Sequence, residues 1–331
     1  MPGKRKVLIT GSNGMLGVDL CQELGGDYEI YGMDNRSRAG ISRNHGRAHL
    51  SVPYKSTPAV QRFFRCDITN GNEVLSVLSK ISADIVIHTA AWTDVDGCEL
   101  DKDKAYEINS EGTENVAIAC EENGAMLVYL STDFVFDGKK RRAYKETDKA
   151  RPINIYGDSK FLGEETIRRI WPKHFILRTS WLYGRNGKNF VDTIIEKAAG
   201  EKELKVVDDQ AGSPTYTVDL AKAIHELLNK IFTGYGLRVT GYGIYHISNS
   251  GSTSWYEYAK AMLKLAGSDT KVIPISSKEL DRPAKRPAMS VLDNSKFEKF
   301  TGYAMRNWKE ALKEYIKRPR SETSALSQFL G

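Results

Sequence analysis

Short apolar runs alternate with amphipathic stretches through the first half of the chain. Residues 7–10, 28–34, 63–67, 84–88, 125–130 and 175–179 are dominated by apolar side chains. Runs of this length predict strands buried on both faces. Between them, residues 18–24, 73–81 and 101–123 and a stretch from Tyr156 to Ile167 predict helices. In 101–123, Ala105, Ile108, Val116, Ala117 and Ala119 form one buried side. Strand–helix alternation of this kind predicts an α/β protein with a doubly wound, Rossmann-like parallel sheet.

Beyond about residue 180 the pattern loosens. Helices are expected at 189–199, 218–232, 254–265 and 308–316, with strands at 204–207, 243–247 and near Val272. Ser254 and Glu257 have the spacing of a helix cap. The expected division is 1–180 mainly as a dinucleotide-binding domain and 181–317 mainly as a smaller substrate-binding lobe, partly interleaved with the sheet. Residues 318–331 read as a flexible tail, and 39–62 as an irregular excursion.

Composition narrows the class. Charged residues make up 27% and hydrophobic ones 40% of 331, ordinary for a globular enzyme. Net charge is +6, but Lys and Arg are spread along the chain. The densest basic run, 139–142, reads as a solvent-facing segment, so no nucleic-acid partner is expected. No apolar run is long enough to span a membrane. Cys21, Cys66, Cys98 and Cys120 have no close spacing and read as thiols of a reducing compartment, not a zinc site. A cytoplasmic enzyme without a signal peptide is expected.

The first strand–helix junction carries Gly11-Ser12-Asn13-Gly14-Met15-Leu16-Gly17. Glycines there permit a tight turn, close approach of a pyrophosphate, and helix–sheet packing, with the helix N-terminus facing the phosphates. Asp34 ends the second strand, where a carboxylate accepts from ribose hydroxyls and favours NADH. Asn35 and Arg36 follow, and Arg36 or Arg38 would instead pair with a 2′-phosphate, so NADH and NADPH both stay open. Asp67 and Ile68 either flank the adenine or cap their strand. Ala90 and Ala91, before Trp92, are small enough for a cofactor to lie against the backbone.

Tyr156 and Lys160 lie four apart, on one helical face. An ammonium near a phenol favours the phenolate and would lower the tyrosine pKa. Such a tyrosine can protonate a ketone oxygen. Ser131 or Thr132, at the end of the fifth strand, would bind the same oxygen. Asn109 either holds a backbone group or water near that pair or simply packs. His88 reads as a packed strand residue.

Several stretches together resemble the extended short-chain dehydrogenase/reductase family, and within it the dTDP-4-dehydrorhamnose reductases. They are residues 131–138, Tyr156-Gly157-Asp158-Ser159-Lys160 with Gly163-Glu164, 178–184, 187–190, 208–216 and 286–290. The resemblance runs from about Lys6 to Ile316. It implies reduction by NADH or NADPH of the C4 keto group of a dTDP-sugar. Tyr156 would be the acid, Lys160 would orient the cofactor ribose, and Thr132 would assist at the carbonyl. Trp92, Asp133, Phe134, Trp181, Asn189, Phe190, Gln210 and Arg286 would lie near the substrate, with the Arg286 guanidinium suited to a diphosphate.

Some members of that family join through a magnesium site built from glutamates. Met15 stands where such a member has a glutamate, so a homodimer is open but not through that site, and no metal is expected. A 4,6-dehydratase would carry Asp-Glu after the threonine, whereas Phe134 follows Asp133. A 4-epimerase shares the Thr, Tyr and Lys. A regulatory subunit resembling the methionine adenosyltransferase beta chain would bind the dinucleotide without turnover.

Overall fold

The computed structural model describes residues 3–36, 60–233 and 241–318. Ser37, Arg38, nearly all of the expected excursion and residues 319–331 of the expected tail lie outside the described residues. The apolar runs form β1 (Lys6–Thr10), β2 (Glu29–Asp34), β3 (Val60–Arg65), β4 (Ile85–His88), β5 (Met126–Thr132) and β6 (His174–Thr179). With strand Gly243–His246 they make one sheet in the order Gly243–His246, β6, β5, β4, β1, β2, β3. Every neighbouring pair is parallel. β4, β5 and β6 are buried along their whole length, which explains their unbroken apolar runs.

The helices are α1 (Met15–Leu24), α2 (Gly71–Ile81), α3 (Val95–Leu100), α4 (Lys102–Tyr106), α5 (Gly112–Asn123), α6 (Ile155–Ile170), α7 (Phe190–Ala198), α8 (Thr217–Thr233), α9 (Trp255–Ala266), α10 (Ser295–Thr301) and α11 (Trp308–Lys317). Leu20 and Leu24 of α1 and Leu220, Ile224 and Leu227 of α8 pack with Val7, Ile9, Ile85 and Val128 on one sheet face. Val74 and Leu78 of α2 and Val116 and Cys120 of α5 pack with Leu8, Val86 and Leu127 on the other. A third core joins α7, α9 and α11 to strands Glu203–Val207 and Lys271–Ile275, which pair in parallel. The chain after residue 180 therefore returns to the sheet with α8 and Gly243–His246 before completing this smaller cluster.

Three local departures have physical causes. The single helix expected at 101–123 is broken into α4, a π-type turn at Glu107–Glu111, and α5. The wide turn carries Asn109 into the interior, and Gly112 lets the helix press on Ile68, where a Cβ would lie 2.8 Å from Ile68 Cδ1. The first helix begins at Met15, three residues earlier than its apolar run, because Gly14 already sits at its N-cap. The short α3, capped by Asp94, was not anticipated, since six residues show no clear period. The basic run at 139–142 is partly neutralised: Lys140 and Arg142 both pair with Asp148.

Candidate functional site

The strand order reverses direction on either side of β1, so the loops after β1 and β4 part and leave a crevice at the sheet's carboxyl edge. A cavity of about 910 Å³ occupies it. The glycine loop forms one wall. Gly11 has φ +65°, and a Cβ there would meet Ala90 N at 2.8 Å. A Cβ at Gly17 would come within 2.2 Å of Gly11 O, so the glycine is what seats α1 against the loop. No side chain caps α1 at Gly14, which leaves its first N–H groups to the cavity.

Asp34 is buried, and its carboxylate organises this wall. It accepts from Asn13 N at 3.1 Å and Arg36 N at 3.0 Å, and pairs with Arg36 Nε at 3.2 Å. Asn13 also donates to Arg36 O. The Arg36 side chain remains 64% exposed beside the cavity.

The floor is set by α6, β5 and the π-type turn. Asn154 caps α6 by accepting from Gly157 N at 2.8 Å. A Cβ at Gly157 would lie 2.2 Å from Phe134 O, so this glycine allows α6 to rest on the loop after β5. Phe134 then meets the Tyr156 ring edge to face at 5.8 Å. Thr132 donates to Asp133 Oδ1 at 3.1 Å and accepts from Phe134 N at 3.2 Å. Asn109 accepts from Trp92 N at 2.8 Å, donates to Trp92 O at 3.1 Å, and donates to Ser159 Oγ at 3.1 Å. Of its two readings, the one that holds a backbone group is therefore the one seen.

Charge in the floor differs from expectation. Burial pushes the Tyr156 phenol up, opposed by the Thr132 hydroxyl and reinforced by Asp133. The expected lowering is not what the fold produces, because desolvation of the phenolate is the largest influence on the group. Lys160 is itself pulled down to about 7 by burial, against the pull of Glu164. Burial also lifts Asp133 to about 7. His88 is buried between Thr10 and Thr113, at 2.7 and 3.1 Å, and burial holds it neutral.

The opposite wall comes from the later chain. Trp181 has φ +47° and stacks on Trp255 with ring centroids 3.5 Å apart. Phe190 meets Trp255 edge-on at 4.4 Å. A Cβ at Gly212 would strike Trp181 Cε2 at 2.3 Å, so the bare backbone there leaves room for the indole. Arg286 reaches the cavity while paired with Asp96 of α3.

Of the expected catalytic, cofactor and substrate residues that the structure describes, all but Asn13 and Gln210 line this cavity. Asn13 instead braces the loop through its bonds to Asp34 and Arg36. Gln210 donates to Ser277 Oγ and accepts from Trp255 Nε1, so it supports the indole stack from behind. Asn189 lines the cavity, yet it caps α7 and donates to Gly184 O, so much of its capacity is already used. Sequence reasoning missed Trp255; its only signal was an indole at the first position of a helix. It also missed Asp96, which nothing local distinguishes from other surface acids. Among the described residues no cluster of His, Cys, Asp or Glu is placed to hold a metal ion. A Cβ at Gly184 would lie 2.9 Å from Met15 Cγ, so Met15 packs close to the later chain.

The comparisons agree with this architecture. Residues 5–321 match the family described as the RmlD substrate binding domain. The chain is 35% identical over 316 residues to a dTDP-4-dehydrorhamnose reductase of Aggregatibacter actinomycetemcomitans, covering 93% of this chain and 97% of that protein. It is 38% identical over 312 residues to the spore coat polysaccharide biosynthesis protein SpsK of Bacillus subtilis, covering 94% and 96%. A crystal structure of dTDP-4-dehydrorhamnose reductase from Bacillus anthracis in complex with NADP superposes with a TM-score of 0.81 at 38% identity, covering 96% of this chain and all of that one. On the length and identity of these matches, the chain belongs to the RmlD substrate binding domain family.

Proposed function

We propose that this chain is an NAD(P)H-dependent oxidoreductase of the extended short-chain dehydrogenase/reductase type. It reduces the C4 keto group of dTDP-4-dehydro-beta-L-rhamnose to give dTDP-beta-L-rhamnose. The observation that carries the reading is the meeting of Thr132, Tyr156 and Lys160 with the glycine loop in one cavity. Relatives named as that reductase support the substrate.

The glycine wall fits a dinucleotide: its backbone leaves no room for a Cβ at Gly11, and α1 presents uncapped N–H groups. Bound NAD(P)H supplies hydride. Tyr156, kept protonated by burial, gives its proton to the ketone oxygen as negative charge develops there. Thr132 places a second hydroxyl at that oxygen. Lys160 orients the ribose and lends positive charge. Arg286 takes the substrate diphosphate, and Trp181 with Trp255 walls the sugar nucleotide. Residues 1–180 serve mainly the dinucleotide and 181–317 mainly the substrate. The cytoplasm suits four buried cysteines joined by no disulfide.

The deciding experiment follows NADH and NADPH oxidation with the 4-keto sugar nucleotide, made fresh from dTDP-glucose by dehydratase and 3,5-epimerase. Stoichiometric oxidation with dTDP-rhamnose as product is expected. No oxidation, with dinucleotide binding confirmed separately, would favour the epimerase or regulatory reading.

A further inference from the structure

We propose that Tyr129 is a positioning residue for Lys160, whose ammonium it seats against the face of its ring. The idea rests on the reading of Lys160 as the group that orients the ribose. Lys160 Nζ lies 4.1 Å from the Tyr129 ring centroid. The ring is fully buried in the middle of β5. Its orientation is fixed from two sides. Its hydroxyl donates to the carbonyl of Lys160 at 3.3 Å, and His88 stacks with it at 5.5 Å and 27°. His88 is in turn held by Thr10 and Thr113. Gly163 makes the approach of α6 possible, since a Cβ there would lie 2.7 Å from the Tyr129 hydroxyl.

A buried ammonium loses most of its hydration, and burial pulls Lys160 down to about 7. The negative face of an aromatic ring offsets part of that loss, more strongly away from water. Other titratable and charged groups lie on the elements packed around it, and among them Glu164 pulls toward the ammonium. Tyr156 and Glu164 share its helix, Asp133 follows β5, His88 is neutral on β4, and Arg178 comes from β6. Glu164 favours the ammonium, but its carboxylate is held by Arg178, with Nε at 2.9 Å and Nη2 at 2.5 Å, and by Ser131 at 2.5 Å. Without the ring, the lysine would lose its proton at lower pH.

The test compares wild type, Tyr129→Phe and Tyr129→Leu, measuring NADPH affinity by fluorescence and turnover from pH 5.5 to 10. Tyr129→Phe keeps the ring face and should keep the alkaline limb of both curves. Tyr129→Leu should move that limb down by about one pH unit. An unmoved limb in Tyr129→Leu, or an equal shift in Tyr129→Phe, overturns the proposal. If Tyr129→Leu does not fold, mono-, di- and trifluorinated phenylalanine at this position keep the shape and weaken the ring's negative face. A downward shift graded with fluorination supports the seat, and an ungraded response overturns it. If wild type binds NADPH but does not turn over the sugar nucleotide, the functional reading fails, while the affinity curves still decide the role of Tyr129.

Discussion

Arg286 and Asp96 form a two-pronged ion pair, with Nη1 3.0 Å from Oδ1 and Nη2 2.9 Å from Oδ2. Arg282 joins the same carboxylate at 2.9 Å, and Ala284 N donates to it at 3.2 Å. Asp96 belongs to α3 near the sheet, and both arginines to the later chain, so the pair ties the two sides of the cavity together. A substrate diphosphate would compete with Asp96 for Arg286. Arg286→Ala should raise KM for the sugar nucleotide by about tenfold, the loss of one charge-assisted contact, with NADPH affinity little changed. An unchanged KM and unchanged direct affinity would remove the phosphate role.

The same cluster sets an acid dependence. Burial disfavours the Asp96 carboxylate, but Arg286, Arg282 and the Ala284 N–H outweigh it and hold its pKa at about 2, below the usual 3.8. A carboxyl depressed on folding stabilises above its unfolded pKa and loses that contribution as pH falls through the folded value. The stability advantage of wild type over Asp96→Asn should be on the order of 1 kcal/mol after solvent screening. It should shrink between about pH 4 and pH 2. Urea unfolding across that range checks it; a gap that stays constant to pH 2 would assign the effect to packing.

Tyr156→Phe removes the proton donor while leaving the ring against Phe134. Turnover should fall by about 10²-fold or more with dinucleotide affinity nearly intact. Near-normal turnover would mean that another group protonates the ketone.

Arg36 stands beside the buried Asp34 with its side chain largely in solvent. Of the two arginines expected to meet a 2′-phosphate, it is the one among the described residues. Arg36→Ala should lower kcat/KM with NADPH by about tenfold and leave NADH within about twofold, the size of one charge-assisted bond lost. Equal losses with both cofactors would point to the bonds that Arg36 and Asn13 make within the loop.

Trp255 supports Trp181 by direct stacking. Trp255→Ala should raise KM for the sugar nucleotide about three- to tenfold, the worth of one aromatic pair, and spare NADPH affinity. Loss of NADPH affinity instead would show that the stack shapes the whole cavity.

The sheet and its glycine loop were legible from the sequence because their signals are local. An apolar run such as Ile85–His88 must be buried on both faces, and Gly11 and Gly17 sit where a strand meets a helix. The spacing of Tyr156 and Lys160 likewise fixes their common face once α6 forms. Other features depend on neighbours distant in the chain. The Tyr156 pKa rises because folding removes water around it, which no spacing records. Gln210 lies behind Trp255 rather than in the cavity because residues 210 and 255 meet only in the folded lobe. Asp96 finds Arg286 across 190 positions. Sequence by itself determined which segments could pair and which residue types could do the chemistry, since periodicity and side-chain chemistry act over a few residues. Tertiary structure alone decided the burial of the site's polar groups, their charge state and their partners, since desolvation and ion pairing depend on what long-range packing brings alongside.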